Sequence, residues 1–335
     1  MSKLLKGKRV LIDTQAFRKA RFGVKDPAFA KFCTLCEHGE VILVTTAITR
    51  REIDAQIDEV APEIRSILAK AGRIAASLGQ PEFVVLGFPA TQLTELQVAA
   101  ALKKLVGEFF ENCAAEQLNL PKLALAKVLD LYFEKRPPFG AGKKKAEFPD
   151  AFVLEALKAK AGVNGQSIYV VSEDSDFASA CKECSYLELV PTLAHFLDRY
   201  NSHAESVKQV RATLRKNSKK IDEKLEEIVN SLSGELDCAG SVQIAYRKIV
   251  DVLDSLIISC DEARASVEFV CFVEIDAWLE IRPPNDAPPE YRNAEKQQAI
   301  NITLEFRFDP SNAAVFEVEN YWAPQAISFS AHSAS

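Results

Sequence analysis

The feature that most constrains this chain is a set of short, continuous apolar runs that end in polar or acidic residues. KRVLIDT (8–14), VILVTTAI (41–48), SIYVVSED (167–174) and YLELVPT (186–192) are of this kind, and EFVVLGF (82–88) is read as another. Strands that are apolar on both sides must be buried on both faces, which is the signature of a parallel sheet. Parallel neighbours cannot be joined by a hairpin, so helices must cross between them. The sequence supplies such helices. Ile53, Ile57, Val60, Ile64, Ile67 and Leu68 fall at helical spacing, and Leu93–Leu118 and Leu123–Phe133 are two more helical stretches. Residues 1–199 are therefore expected to form an α/β domain, a parallel sheet with helices on both faces. In such a sheet, ligands bind in the crevice at the carboxyl ends of the strands.

The pattern changes after residue 200. Residues 200–235 are polar, with Ile221, Leu225, Ile228 and Leu232 on one narrow helical stripe, and are expected to form a helical connector. Ile244–Ile258 reads as a further helix. Then Val267, Phe269, Cys271, Val273, Ile275, Ala277, Leu279 and Ile281 alternate with mainly polar residues. Ile300, Ile302, Leu304, Phe306 and Phe308 do the same, and so do Phe316 and Val318. Period two with one polar face predicts antiparallel strands, so 236–335 is expected to be a separate α+β domain.

Charge divides along the same line. The net charge is −6, yet residues 261–335 hold 5 Lys/Arg and 13 Asp/Glu, which leaves the rest of the chain slightly basic. Basic residues gather at Arg18, Lys19, Arg21 and Lys25, at Lys135 and Arg136, at Lys143, Lys144 and Lys145, and along 211–224. Such groups suit a polyanion, although each also fits a solvated surface. The acidic C-terminal domain would repel phosphate, so a protein partner or a second copy of the chain is its expected contact. With no apolar stretch of bilayer length and no leader-like start, the chain is expected in the cytoplasm, away from membranes, with its eight cysteines reduced.

Five acids fall where a parallel sheet would gather them. Asp13 ends the first strand and Glu52 follows the second. Asp150 lies in KKKAEFPDAF, where Pro149 suits the first turn of a helix, and Asp174 and Asp176 follow SIYVV. Taken singly, Asp13 and Asp174 would pass as helix N-caps and Glu52 as a surface acid. Taken together, such carboxylates repel and raise one another's pKa, a conflict that a divalent cation removes. Hard oxygen donors suit Mg²⁺ or Mn²⁺ and phosphodiester hydrolysis.

The order LIDT (11–14), Glu52, EFPDA (147–151) and VSEDSDF (171–177) resembles the PIN domain nucleases, and most of all a bacterial PIN-like group with a GKK-x-EFPDA-type segment. The resemblance covers about 1–195. It implies an α/β/α sandwich and a metal-dependent endonuclease, usually acting on RNA. Carried over residue by residue, Asp13, Glu52, Asp150 and Asp174 match the family's acidic quartet, and Asp176 is the second acid of the D-x-D-F end. Asp13, Asp150 and Asp174 would then hold one Mg²⁺ or Mn²⁺, with Glu52 and Asp176 completing the site, and cleavage would leave a 5′-phosphate. Ser172 stands where many relatives have Thr. With Arg136 and Lys143–Lys145 it forms the expected substrate-binding set. The long helical stretch between Glu52 and Asp150 departs from the pattern and bears on substrate size. A toxin or phage-defence effector fits this reading. A structure-specific DNA nuclease and a non-catalytic nucleic-acid-binding protein on the same fold are the alternatives.

Other signals are weaker. Cys33-x-x-Cys36 and Cys181-x-x-Cys184 have zinc-like spacing but lie 144 residues apart among packing residues, so buried thiols are the simpler reading. The four histidines form no cluster in the sequence, and no Gly-rich phosphate loop is present.

Overall fold

The computed structural model describes residues 5–77, 93–120, 124–136, 138–139, 147–202, 205–236, 238–261, 263–282, 288–324 and 326–330. The expected strand at 82–88 and the lysines at 143–145 lie outside these. The chain divides into two compact units, Lys3–Phe196 and Leu197–Ser335.

The first unit is built on five parallel strands: β1 (Arg9–Ile12), β2 (Ile42–Thr46), β3 (Glu116–Leu118), β4 (Ile168–Val171) and β5 (Leu187–Val190). Their spatial order is β3-β2-β1-β4-β5. The chain therefore builds outward from β1 through β2 to β3, then returns to the other side of β1 for β4 and β5. The switch point falls between β1 and β4, which pair from Arg9–Ile168 to Ile12–Val171. Gly7 makes room for this pairing, since a Cβ there would lie 2.0 Å from the Ser167 carbonyl oxygen.

Alternate side chains leave the sheet on opposite faces. Leu11, Val44 and Val170 pack with Val153, Leu154 and Leu157 of α6 (Phe148–Lys160) and Phe177 of α7 (Ser175–Glu183). Tyr169 leaves the other face, where its ring meets Phe196 at 5.4 Å, and Phe196 meets Phe32 of α2 (Pro27–Glu37) at 6.0 Å. Both faces are thus dry, as continuous apolar strands require. A second aromatic group joins Phe17 of α1 (Thr14–Lys19) to Phe29, Phe109 and Phe110, the last two from α4 (Glu95–Asn112). The stretch read as one helix, Leu93–Leu118, is α4 followed by edge strand β3 (EQL), too short and polar to announce itself. α3 (Ala47–Ser77) follows β2 directly, and α5 (Ala124–Phe133) precedes α6.

After α8 (Leu193–Asn201), the second unit sets helices on a four-stranded antiparallel sheet of order β10-β9-β8-β7. Its strands are β7 (Gly240–Cys260), β8 (Arg264–Ile281), β9 (Glu290–Asp309) and β10 (Asn312–Trp322). A parallel pair, β6 (Ser233–Leu236) and β11 (Ala326–Phe329), stands beside it as a separate small sheet. The expected connector, 200–235, holds α9 (Glu205–Lys216) and α10 (Ser218–Ser231). Val210, Leu214, Ile221, Leu225 and Ile228 from these helices share one core with the inward residues of β8 and β9. Asn217 separates them: it is buried, and its amide donates to the carbonyls of Thr213 (2.9 Å) and Ala313 (2.8 Å).

One element corrects the sequence reading. Ile244–Ile258 is not a helix but the middle of the 21-residue strand β7. Its pairing with β8 slips at four bulges, between Ile244 and Tyr246, Ile249 and Asp251, Val252 and Asp254, and Ile257 and Ser259. Each bulge adds a residue and turns the next side chain to the other face. The partly buried residues therefore fall two or three apart, a spacing easily mistaken for a helical stripe.

Candidate active site

Asp13 and Asp174 follow the carboxyl ends of β1 and β4, the two strands at the switch point, whereas Glu52 and Asp150 stand on helices α3 and α6. Asp13 follows β1, and its backbone N–H extends the ladder by donating to the Val171 carbonyl at 3.0 Å. It occupies the N-cap position of α1, yet its side chain makes no capping bond. Instead, Asp13 Oδ2 accepts from Ser172 Oγ at 2.7 Å, and Oδ1 accepts from Thr14 Oγ1 at 3.2 Å. Ser172 is buried just beyond β4, and its hydroxyl also accepts the Asp174 N–H at 3.0 Å. One side chain thus ties the first acid to the loop that carries the fourth.

Asp174 does serve as a cap. It sits at the N-cap of α7 and accepts the Asp176 N–H at 2.6 Å. Its charge also reaches Asp13. Asp176 is buried in the first turn of α7. Glu52 lies half-buried in α3 and Asp150 half-buried in the first turn of α6, where Pro149 occupies a position that needs no N–H donor. Asp150 also benefits there from the positive end of the helix.

Electrostatics draws these positions together. Burial holds Asp13 above the usual carboxylate range, and the Asp174 charge adds to it, against the bonds from Ser172 and Thr14. Burial, then the charges of Asp13 and Glu147, push Glu52 to about 7. Burial, then Glu52 and Asp13, push Asp150 to about 8. The charge of Asp13 thus acts on both Glu52 and Asp150, that of Glu52 on Asp150, and that of Asp174 on Asp13. Glu147 was not singled out by its sequence. It stands at the N-cap of α6 without capping it, hydrogen-bonds with Asp150, and adds its charge to both Asp150 and Glu52. The only signal available was its place three residues before Asp150, which reads as an ordinary N-terminal acid.

The donors are hard carboxylate oxygens, the chemistry that suits Mg²⁺ or Mn²⁺ rather than a softer metal. As the side chains stand, no three His, Cys, Asp or Glu among the described residues close around a common point as metal ligands. Burial, and after it the neighbouring acids, raise the carboxyls of Glu52 and Asp150, so a divalent cation among them would favour their charged forms.

Of the expected substrate contacts, Arg136 is exposed just beyond α5 and pairs with Glu134 at 2.6 Å. Ser172 turns its hydroxyl inward, as described. Cys33 and Cys36 lie in α2 and share hydrogen bonds with Cys113, whereas Cys181 and Cys184 pack against the core beside α6 and α7. No helix among the described residues is long and apolar enough to cross a membrane.

The fold defines a class of α/β protein with helices on both faces of a five-stranded parallel sheet and acids just past the carboxyl ends of β1 and β4, on either side of its switch point. A family model described as the PIN domain matches residues 10–177, half of the chain, and the chain belongs to that family. PIN domains have a nuclease-like fold, are generally nucleases and typically use divalent metals. Neither a comparison with curated proteins nor one with solved structures finds a match.

Proposed function

We propose that this protein is a metal-dependent endoribonuclease that hydrolyses phosphodiester bonds with an activated water. The observation that supports the proposal is geometric: Ser172 Oγ donates to Asp13 Oδ2 at 2.7 Å and accepts the Asp174 N–H at 3.0 Å, tying the acids after two neighbouring central strands to each other, with Glu52 and Asp150 half-buried and raised by burial and by nearby acids.

In this reading Asp13, Asp150 and Asp174 would hold Mg²⁺ or Mn²⁺, with Glu52 and Asp176 completing the set. The cation would supply a water of lowered pKa and neutralise charge on the phosphate. Ser172 acts as a positioning residue, fixing Asp13 Oδ2 toward the site through its 2.7 Å bond. Glu52 and Asp176 would bind a second ion or orient the attacking water. Arg136 and Lys143–Lys145 would steady the phosphate backbone, contacts that position without reading sequence. The nuclease module would comprise 1–199. The acidic domain at 236–335 would bind a protein or a second copy, as in a toxin or phage-defence effector in the cytoplasm.

The test is cleavage of labelled single-stranded RNA, duplex RNA and DNA with Mn²⁺, Mg²⁺ or EDTA, beside Asp150→Asn. The proposal expects cleavage of RNA that EDTA abolishes and that Asp150→Asn lowers by roughly 100-fold or more. Cleavage that survives both would overturn it. Cleavage of DNA alone would move the assignment to a DNA nuclease.

A further inference from the structure

We propose that Phe133, at the end of α5, is a stacking platform for an unpaired base of a single-stranded substrate. This inference rests on the nuclease reading for its location but makes a separate claim about recognition.

Phe133 is 75% exposed, although phenylalanine is normally drawn into a core. It is not an isolated surface ring. Tyr132 packs against it edge-on at 5.4 Å, and Tyr132 meets Phe148 at 5.1 Å. Phe148 opens α6, two residues before Asp150. Phe139 closes the group, 5.4 Å from Tyr132 and 4.9 Å from Phe148. A continuous run of rings thus leads from the turn that carries Asp150 to an aromatic surface in water, and the buried rings behind Phe133 hold its helix end in place.

Charge selects the occupant. Glu134, Lys135 and Arg136, all exposed, follow, and Glu134 pairs with Arg136 at 2.6 Å, so the segment carries one net positive charge. The chain ends α5 with Lys135 in the left-handed conformation at φ 55°, a position that glycine fills without strain. The Arg136 N–H donates to the Leu131 carbonyl at 3.0 Å and the Lys135 N–H to that of Tyr132 at 3.3 Å, so the turn is fixed. A strained lysine held in a fixed turn behind an exposed ring sets one apolar face beside a short segment of net positive charge, Lys135 with the Arg136–Glu134 pair. A single strand offers the matching pair, an open base for the ring and phosphates for the cations. A duplex keeps its bases stacked inside and has nothing to place on Phe133. Leu125 (59% exposed) and Leu129 (37%) continue the apolar stripe along α5. A protein interface along this stripe is one of the outcomes of the test.

The experiment measures binding by the full chain in EDTA, which prevents metal-dependent cleavage. Wild type, Phe133→Ala and Phe133→Trp are titrated against labelled single-stranded RNA, single-stranded DNA of the same sequence, duplex RNA and an abasic strand. Phe133→Ala is expected to weaken binding of both single strands by about 5- to 100-fold. Phe133→Trp should restore the affinity, and its new indole emission should be quenched on binding. The abasic strand and the duplex should bind all three proteins alike. Unchanged single-strand affinity in Phe133→Ala would overturn the proposal. So would an equal loss on duplex and abasic ligands, or a change in solution mass with nucleic-acid affinity intact, which would mark a protein interface. Base-dependent binding through Phe133 in a chain that cleaves nothing with Mn²⁺ would support the platform while refuting the nuclease reading.

Discussion

Asp150 and Glu52 hold protons to about pH 8 and about pH 7, well above the values for free carboxyl groups. The consequence for stability has a definite sign. Between about pH 4 and these values, the folded chain binds protons that the unfolded chain has released, so stability falls as pH rises through that window. In EDTA, urea denaturation should show a less stable protein at pH 8.5 than at pH 5.5, with a smaller difference in Asp150→Asn. A wild type and variant with equal pH dependence would mean that Asp150 is not under this strain. Ser172→Ala removes the donor to Asp13 Oδ2 and should lower cleavage by about 10- to 100-fold, while Ser172→Thr, which keeps the hydroxyl, should stay close to wild type. Residues differ in how plainly the sequence announces them. Asp13 ends a short apolar run, Asp174 lies three residues beyond another, and Asp150 follows a helix-opening proline, so each is framed by a local pattern. Glu147 has no such frame. Its membership of the site depends on where α6 points, which is a tertiary fact.

Elements were legible where their period was regular. β8 and β9 keep strict alternation, because a sheet with one dry face punishes any slip. β7 hides its period behind four bulges, and β3 is three residues long, so neither shows in the sequence as a strand. Bulges also suit the position of β7, which pairs only with β8 among the described strands, since an irregular edge resists pairing with other chains. At the end of α5, Lys135→Gly should stabilise the fold by about 1 kcal/mol, because glycine adopts φ 55° without a Cβ penalty. The same variant should bind nucleic acid less well. Thermal denaturation and a binding titration check the pair of effects, and a destabilised variant would contradict the account of that turn.

At the scale of the whole molecule, two cores and two charge characters divide the labour. The first unit carries the acids after β1 and β4 and a slight basic surplus, and the second carries a surplus of negative charge despite the basic group along 211–224. Affinity for single-stranded RNA should therefore fall linearly with the logarithm of salt concentration. Replacing Glu274 and Asp276 on the outward face of β8 (Glu274→Gln with Asp276→Asn) should leave that slope unchanged, and a changed slope would place nucleic acid on the second unit. The central claim concerns the cation, and calorimetric titration of the full chain with Mn²⁺ tests it most directly. The account predicts saturable binding, tighter at pH 8.5 than at pH 6 because Asp150 and Glu52 must give up their protons, and abolished in Asp13→Asn and Asp150→Asn. Binding of equal strength in the wild type and both variants, or none in any of them, would contradict it.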